Sequence, residues 1–272
     1  MNRAAIADIL LQIVDRRREH LTAARAEQEV SLPAELLNAG PSSPPMKPAE
    51  NAFLAAVGGN RYRRNVIAEV KMGSPSLGSL VGTFDPVEQA KTYAANGAAA
   101  LSVVVEPDFF HGSYEILAAC QSASGLPAIA KDFVVDDLQL VWARDAGAKA
   151  ILLIAALYET EELRHWAAKA RALGLVPLIE THDLADVKKL AGASWELVGV
   201  NNRDLRDFSV CLSTSRALLP SLPPTAVKVS ESGLHSPEDM DSLGALGYQA
   251  YLIGEALVKA DDPAARLREL RG

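Results

Sequence analysis

From about position 66 to the end of the chain, short apolar runs alternate with longer stretches of helical period. Runs rich in β-branched residues and flanked by turn formers predict strands, while apolar positions every three or four residues predict amphipathic helices. Strands are expected at 66–71, 100–105, 128–131, 150–154, 176–180, 197–200, 226–230 and 250–253. Helices are expected between them, near 86–97, 113–123, 136–147, 160–173, 183–191, 212–219, 236–246 and 262–270. Strand–helix units repeated eight times are the pattern of an α/β protein, a (βα)8 TIM barrel. A doubly wound open sheet would give the same local signals, and the strand count favours the barrel.

An internal echo points the same way. NGA at 96–98, AGA at 146–148, AGA at 191–193 and LGY at 246–248 each lie between a helix and the next strand, 50, 45 and 55 residues apart. GLPAIAK at 125–131 and GLVPLIE at 174–180 repeat with a spacing of 49. The glycines suit the left-handed turn that ends a helix before a strand.

Upstream of this repeat the texture differs. Ile6, Ile9, Leu10, Ile13, Val14 and Leu21 make one face of an amphipathic helix, with Arg16 to Arg18 expected on its exposed side. The segment GPSSPPMKP at 40–48 reads as an extended linker, because its prolines forbid a helix. A short helix is expected at 49–57, ended by Gly58 and Gly59. The predicted organisation is an N-terminal helical extension with a proline-rich linker (1–48) and a barrel (49–272), one structural domain overall.

Strands of a parallel sheet covered on both faces should be almost wholly apolar. Several here break that rule at their carboxyl ends: Glu69 and Lys71, Glu106, Lys131, Glu180, Asn201, the SES run at 230–232, and Glu255 after Gly254. In a barrel those ends ring one mouth, where the active site forms. Lysines and carboxylates converging there would supply an acid and a base with pKa values pushed apart by their neighbours. Ser232 and Gly233 after the seventh strand and Gly254 after the eighth offer backbone N–H groups to a phosphate. The MGSPSLGS loop at 72–79 suits a mobile lid with hydroxyls for an anion.

Composition bounds the partners. The net charge of −7 gives no global cationic field for nucleic acid or anionic lipid, so an anionic substrate would need a local cluster of positive groups. Cys120 and Cys211 form no CxxC pair, and two cysteines make no disulfide framework. The five histidines, His20, His111, His165, His182 and His235, show no HxH or HxxxH spacing, so no metal site is expected. There is no GxGxxG, GKS/GKT or GxSxG motif. The N-terminus has no signal-peptide pattern and no apolar run approaches a bilayer span, which predicts a cytoplasmic protein with no membrane partner.

Taken in order, VIAEVK at 66–71 with SPS at 74–76, EPDFFHGS at 106–113, LPAIAKDF at 126–133, PLIETH at 177–182, GVNNRDL at 199–205, SESG at 230–233 and LIGE at 252–255 resemble the indole-3-glycerol phosphate synthase family of tryptophan biosynthesis. The resemblance covers nearly the whole chain, extension included. It implies a carbon–carbon lyase that closes the ring of 1-(2-carboxyphenylamino)-1-deoxyribulose 5-phosphate, releasing carbon dioxide and water with no metal or organic cofactor. By position, Lys131 resembles the general acid and Glu180 the carboxylate base of the dehydration. Lys71 matches the second lysine, set against the substrate carboxylate and the departing hydroxyl, and Glu69 would orient it. Ser74, Asn201, Arg203, Ser232, Gly233, Gly254 and the Glu255 backbone resemble polar substrate contacts, with Arg203 equally readable as a rim residue in a salt bridge. Phe133 would pack on the anthranilate ring or simply fill the core. A lysine beside another cation is expected to have a depressed pKa.

The chain also departs from the family pattern. Leu77 stands where the first loop usually has lysine, Met72 and Gly73 replace a common lysine and small residue, His111 stands at a usual glutamine, and ALV at 256–258 replaces SLM. Two readings compete: another phosphate-binding barrel such as a sugar-phosphate isomerase or epimerase, although no metal-binding histidines of an epimerase are matched, and, motivated by the less cationic loop, a catalytically impaired paralogue that binds an anthranilate-like or sugar-phosphate ligand. The partner expected is a phosphorylated small molecule, the assembly a monomer or weak homo-oligomer.

Overall fold

A computed structural model describes residues 8–27, 31–41, 43–75 and 78–272. The anticipated apolar position Ile6, Ser76 of the SPS motif and the departure at Leu77 lie outside the described residues.

The barrel strands are β1 (Asn65–Val70), β2 (Ala100–Val104), β3 (Ala128–Lys131), β4 (Ala150–Ile154), β5 (Val176–Thr181), β6 (Leu197–Asn201), β7 (Val227–Glu231) and β8 (Ala250–Ile253). All neighbours pair in parallel, and β1 pairs with β8 to close the ring. Strands expected from residue texture thus fall within a residue or so of those observed. The open-sheet alternative is excluded by the β1–β8 pairing, Asn65 opposite Ala250 through Ala68 opposite Ile253.

The outer helices are α4 (Pro86–Ala95), α5 (Tyr114–Ser124), α6 (Asp137–Asp145), α7 (Thr160–Ala172), α8 (Leu184–Lys188), α9 (Ser213–Leu218), α10 (Pro237–Gly244) and, after β8, α11 (Glu255–Val258) and α12 (Pro263–Arg271). Their starts follow from capping chemistry. Asp85, Ser113, Asp136, Asp183, Ser236 and Asp262 each accept a hydrogen bond from a backbone N–H of the first turn that would otherwise lack a partner. The four echo glycines, Gly97, Gly147, Gly192 and Gly247, all have positive φ, as the helix-to-strand turn requires. The helix expected at 183–191 is shorter, and α11 was not anticipated as an element.

Before the barrel come α1 (Asp8–Glu27), α2 (Ala34–Leu37) and α3 (Ala52–Gly58). The short helix expected at 49–57 is split. Asn51 caps α3 through Leu54 N and turns its amide to Lys149 O and Gly174 O, so the preceding turn stays a separate 3-10 segment at Pro48–Glu50.

Helix α1 lies across the carboxyl-end mouth. Leu10, Ile13, Val14 and Leu21 are buried, and Ile9, Leu10 and Ile13 line the cavity beneath. One expectation fails here. Arg17 is not on the exposed side with Arg16 and Arg18 but 4% exposed, because it forms a bidentate pair with Asp132 (Nη2 to Oδ2 2.6 Å, Nε to Oδ1 3.1 Å). Its guanidinium also lies over Tyr114 and Trp142, about 6 Å from each ring centre. Arg25 pairs with Asp136 at 2.7 Å, tying the far end of α1 to the start of α6. Among the described residues no helix is long and apolar enough to cross a membrane.

Candidate active site

The barrel places its ionisable strand-end residues around one cavity of about 1270 Å3 of empty space, partly open to solvent. Glu69, Lys71, Ser74, Lys131, Phe133, Glu180, Asn201, Arg203, Ser232, Gly233, Gly254 and Glu255 all line it. Residues more than 180 positions apart in the chain meet because parallel strands bring every carboxyl end to the same rim.

Glu69, on β1 and 4% exposed, is the hub of the cationic side. Its Oε1 lies 2.8 Å from Lys71 Nζ and its Oε2 3.3 Å from Lys131 Nζ. Burial works against its charge, but the two ammonium groups outweigh burial and hold the carboxyl at about 2. Lys131, at the end of β3, also lies 3.6 Å from Glu231 Oε2. Burial would lower the Lys131 pKa, yet Glu69, Glu231 and Glu180 together raise it above the ordinary lysine value. The expected depression is therefore overturned for Lys131. Its nearest charged neighbours are carboxylates, and the second lysine is separated from it by Glu69.

Glu180, on β5, has His182 Nε2 3.2 Å from its Oε1. Burial pushes its carboxyl up, and His182 and Lys131 overcome that to keep it below the usual carboxylate range. Glu231, at the end of β7, is fully buried within hydrogen-bonding reach of Glu180. Burial and the adjacent Glu180 charge raise the Glu231 carboxyl well above its ordinary value, so it holds its proton near neutrality. Two glycines leave room for Glu231 and Glu69 where they stand. A Cβ on Gly199, in the neighbouring strand β6, would overlap Glu231 Oε1, and one on Gly254 would overlap Glu69 Oε1.

Directly after Glu231, Ser232 and Gly233 both have positive φ (64° and 74°). The strained Ser232 conformation is held by Asn202, whose amide donates to Ser230 Oγ, Glu231 O and Ser232 O. Ser232 and Gly233 both line the cavity, and the loops after the last two strands are where this fold commonly presents backbone N–H groups to a phosphate. The Glu255 side chain is paired with Arg203 (3.1 Å) and Lys259 (2.6 Å). Arg203 therefore lines the cavity with its guanidinium paired to Glu255, and it also donates to Phe208 O. On the apolar side Phe110 meets Phe133 with ring centres 5.9 Å apart. Two departures from the family pattern fit together: a Cβ on Gly73 would lie 2.8 Å from His111 Cδ2, so the small residue makes room for the imidazole.

Glu231, His182 and Asp186, Asp132 and Phe110 had no assigned role in the sequence reading. All but Asp186 lie inside the motifs quoted there. The signal for Glu231 was a carboxylate ending an apolar strand, the same signal that singled out Glu180. Among the described residues no cluster of His, Cys, Asp and Glu could hold a metal ion.

A sequence model described as indole-3-glycerol phosphate synthase matches residues 10–270. The chain belongs to the indole-3-glycerol phosphate synthase family. An indole-3-glycerol phosphate synthase from Azoarcus sp. (strain BH72) is 41% identical over 271 residues, 98% of this chain and 100% of the relative. Another, from Koribacter versatilis (strain Ellin345), is 44% identical over 207 residues, 76% of this chain and 80% of the relative. Among solved structures, a 3-hexulose-6-phosphate synthase from Salmonella typhimurium superposes with a TM-score of 0.58 at 14% identity, covering 76% of this chain and 96% of that one. A thiamine phosphate pyrophosphorylase from Pyrococcus furiosus gives 0.56 at 14%, covering 82% and 96%. At that identity these two bear on the barrel alone. The synthase relatives favour the ring-closing lyase reading over an epimerase and over an impaired paralogue.

Proposed function

We propose that Lys131, Glu180, Lys71 and Glu69 carry the family's reaction in this chain: ring closure, decarboxylation and dehydration of 1-(2-carboxyphenylamino)-1-deoxyribulose 5-phosphate to indole-3-glycerol phosphate. The observation that supports this reading is one cavity lined by Lys71, Lys131, Glu69 and Glu180 together with Ser232, Gly233 and Gly254 from the loops after the last two strands.

The aryl carbon bearing the carboxylate attacks the ribulose carbonyl, and the Lys131 ammonium delivers a proton to the oxygen as it becomes an alkoxide. The bond to the carboxylate then breaks, carbon dioxide leaves, and the electron pair restores the aromatic ring. Dehydration follows: Glu180 accepts a proton while the hydroxyl departs as water with a proton from Lys71. Glu69, bridging both lysines, fixes their spacing. Ser232, Gly233, Gly254 and the Glu255 N–H bind the phosphate, with Ser74 and Asn201 as further polar contacts and Phe133 against the anthranilate ring. Binding the phosphate far from the reacting carbon contributes to orientation, which lowers the entropic barrier to closure. We further propose a cytoplasmic monomer or weak homo-oligomer with no nucleic-acid partner, in keeping with a net charge of −7.

The test is turnover of that substrate, followed by indole fluorescence. The wild-type chain should form product, and Lys131→Ala should lose roughly 10²- to 10⁴-fold in kcat while remaining folded by circular dichroism. Quenching by bound ligand with no product, or wild-type turnover in the variant, would reject the assignment.

A further inference from the structure

On the far side of the cavity from Lys71 stands a group the scheme above leaves without a task. His182 is buried just beyond β5, between two carboxylates: Nε2 is 3.2 Å from Glu180 Oε1 and Nδ1 is 3.5 Å from Asp186 Oδ2. These are ion-pair contacts, since neither ring nitrogen meets hydrogen-bond geometry. Asp186 is fixed in turn. Its Oδ2 accepts from His182 N (3.1 Å), its Oδ1 accepts from Lys189 Nζ (3.3 Å), and its own N–H donates to Asp183 Oδ1 at the start of α8 (2.9 Å). A neutral imidazole carries one proton and could satisfy only one of its two acidic neighbours, whereas the imidazolium serves both. Glu180 lines the cavity and lies within hydrogen-bonding reach of the protonated Glu231 as well.

We propose that His182, braced by Asp186, is a positioning residue for the reaction, holding the Glu180 carboxylate in place through its Oε1. The inference rests on Glu180 being the base. The groups facing the imidazole are Glu180 from β5, Asp186 from α8, Glu231 from β7 and Asp204 from the loop after β6, itself paired with Arg206. Glu180 in turn faces Lys131 from β3 and Glu231 from β7. Burial opposes charge on His182, but Asp186 and Glu180 outweigh it and raise the ring to about 9. Without the imidazolium, the burial that Glu180 experiences would lose its largest opponent, and its carboxyl would move up.

A base acts only when ionised, so the acid limb of the kcat profile reports Glu180 in the complex. His182→Gln should lower kcat by roughly 10- to 100-fold with KM changed less than about threefold, and should move the acid limb upward by about one pH unit or more. Asp186→Asn should move it the same way by less. In the wild-type protein, NMR of the imidazole should show His182 still protonated at pH 8, a measurement that needs no variant to fold. An acid limb left in place, whatever the loss of rate, would reduce His182 to packing and overturn the proposal. So would an imidazole titrating at or below its ordinary 6.5. Glu180→Gln separates this from the parent reading: wild-type turnover there removes the base itself. Loss of turnover in Glu180→Gln with an unmoved limb in His182→Gln removes only the positioning role.

Discussion

Glu231 shows how completely a single side chain's charge can be dictated by position. It ends a strand in the barrel interior, with no solvent access and Glu180 beside it. Its raised pKa has a definite sign for stability. The unfolded chain ionises this group near the ordinary carboxylate value, 4.5, whereas the folded chain resists. Stability is therefore fully present below that value and declines as pH rises toward the folded pKa. Glu231→Gln escapes the decline, so its melting temperature relative to the wild type should climb steadily from about pH 5 to about pH 8. A constant offset across that range would mean Glu231 is ionised in both states. Lys131 and Glu180 were legible in the sequence because an ionisable residue at the end of an apolar run stands out from its surroundings. Glu231 sits in the same kind of place, but the neighbouring serine and glycine drew the reading toward phosphate binding. The charge of Lys131 was illegible for another reason: which neighbour lies closest is a property of strand register, not of spacing along the chain.

At the scale of elements, helix α1 deserves comparison with the strands it covers. Its apolar stripe was plain from residue period alone, but the period could not say what the stripe packs against, nor that the middle of three consecutive arginines turns inward. That depends on Asp132, 115 residues away, which also accepts from Tyr114 and Gln139. Asp132 follows Lys131 directly, so the clamp that seats the helix also anchors the acid's own backbone. Arg17→Ala would leave a buried carboxylate without its cation, a change that costs about 3–5 kcal/mol when such a pair is broken. Denaturant unfolding should show a loss of that order, or, if α1 lifts off locally, hydrogen exchange should show its amides losing protection while β1 to β8 keep theirs. Unchanged stability and unchanged protection would mean that the apolar stripe alone seats the helix.

Across the whole molecule the charge balance is negative, and the ligand implied by the family is an anion. Binding must therefore be local, through N–H groups and the few cations held at the mouth. Inorganic phosphate should accordingly compete with substrate at millimolar concentrations, raising apparent KM and leaving kcat unchanged. Absence of inhibition would argue that the Ser232–Gly233 turn holds no phosphate. The barrel was readable from strand count and the glycine echo because eight similar units repeat one local solution. The roof was not, since its contacts belong to no repeat. That roof has a consequence for how the molecule comes into being. Helix α1 finds ionic partners at Asp108, Asp132 and Asp136, between 88 and 115 positions later in the chain. Such distant contacts form late, after the loops that present them. The reaction chamber is thus covered late in folding, once the loops that carry Asp108, Asp132 and Asp136 are in place.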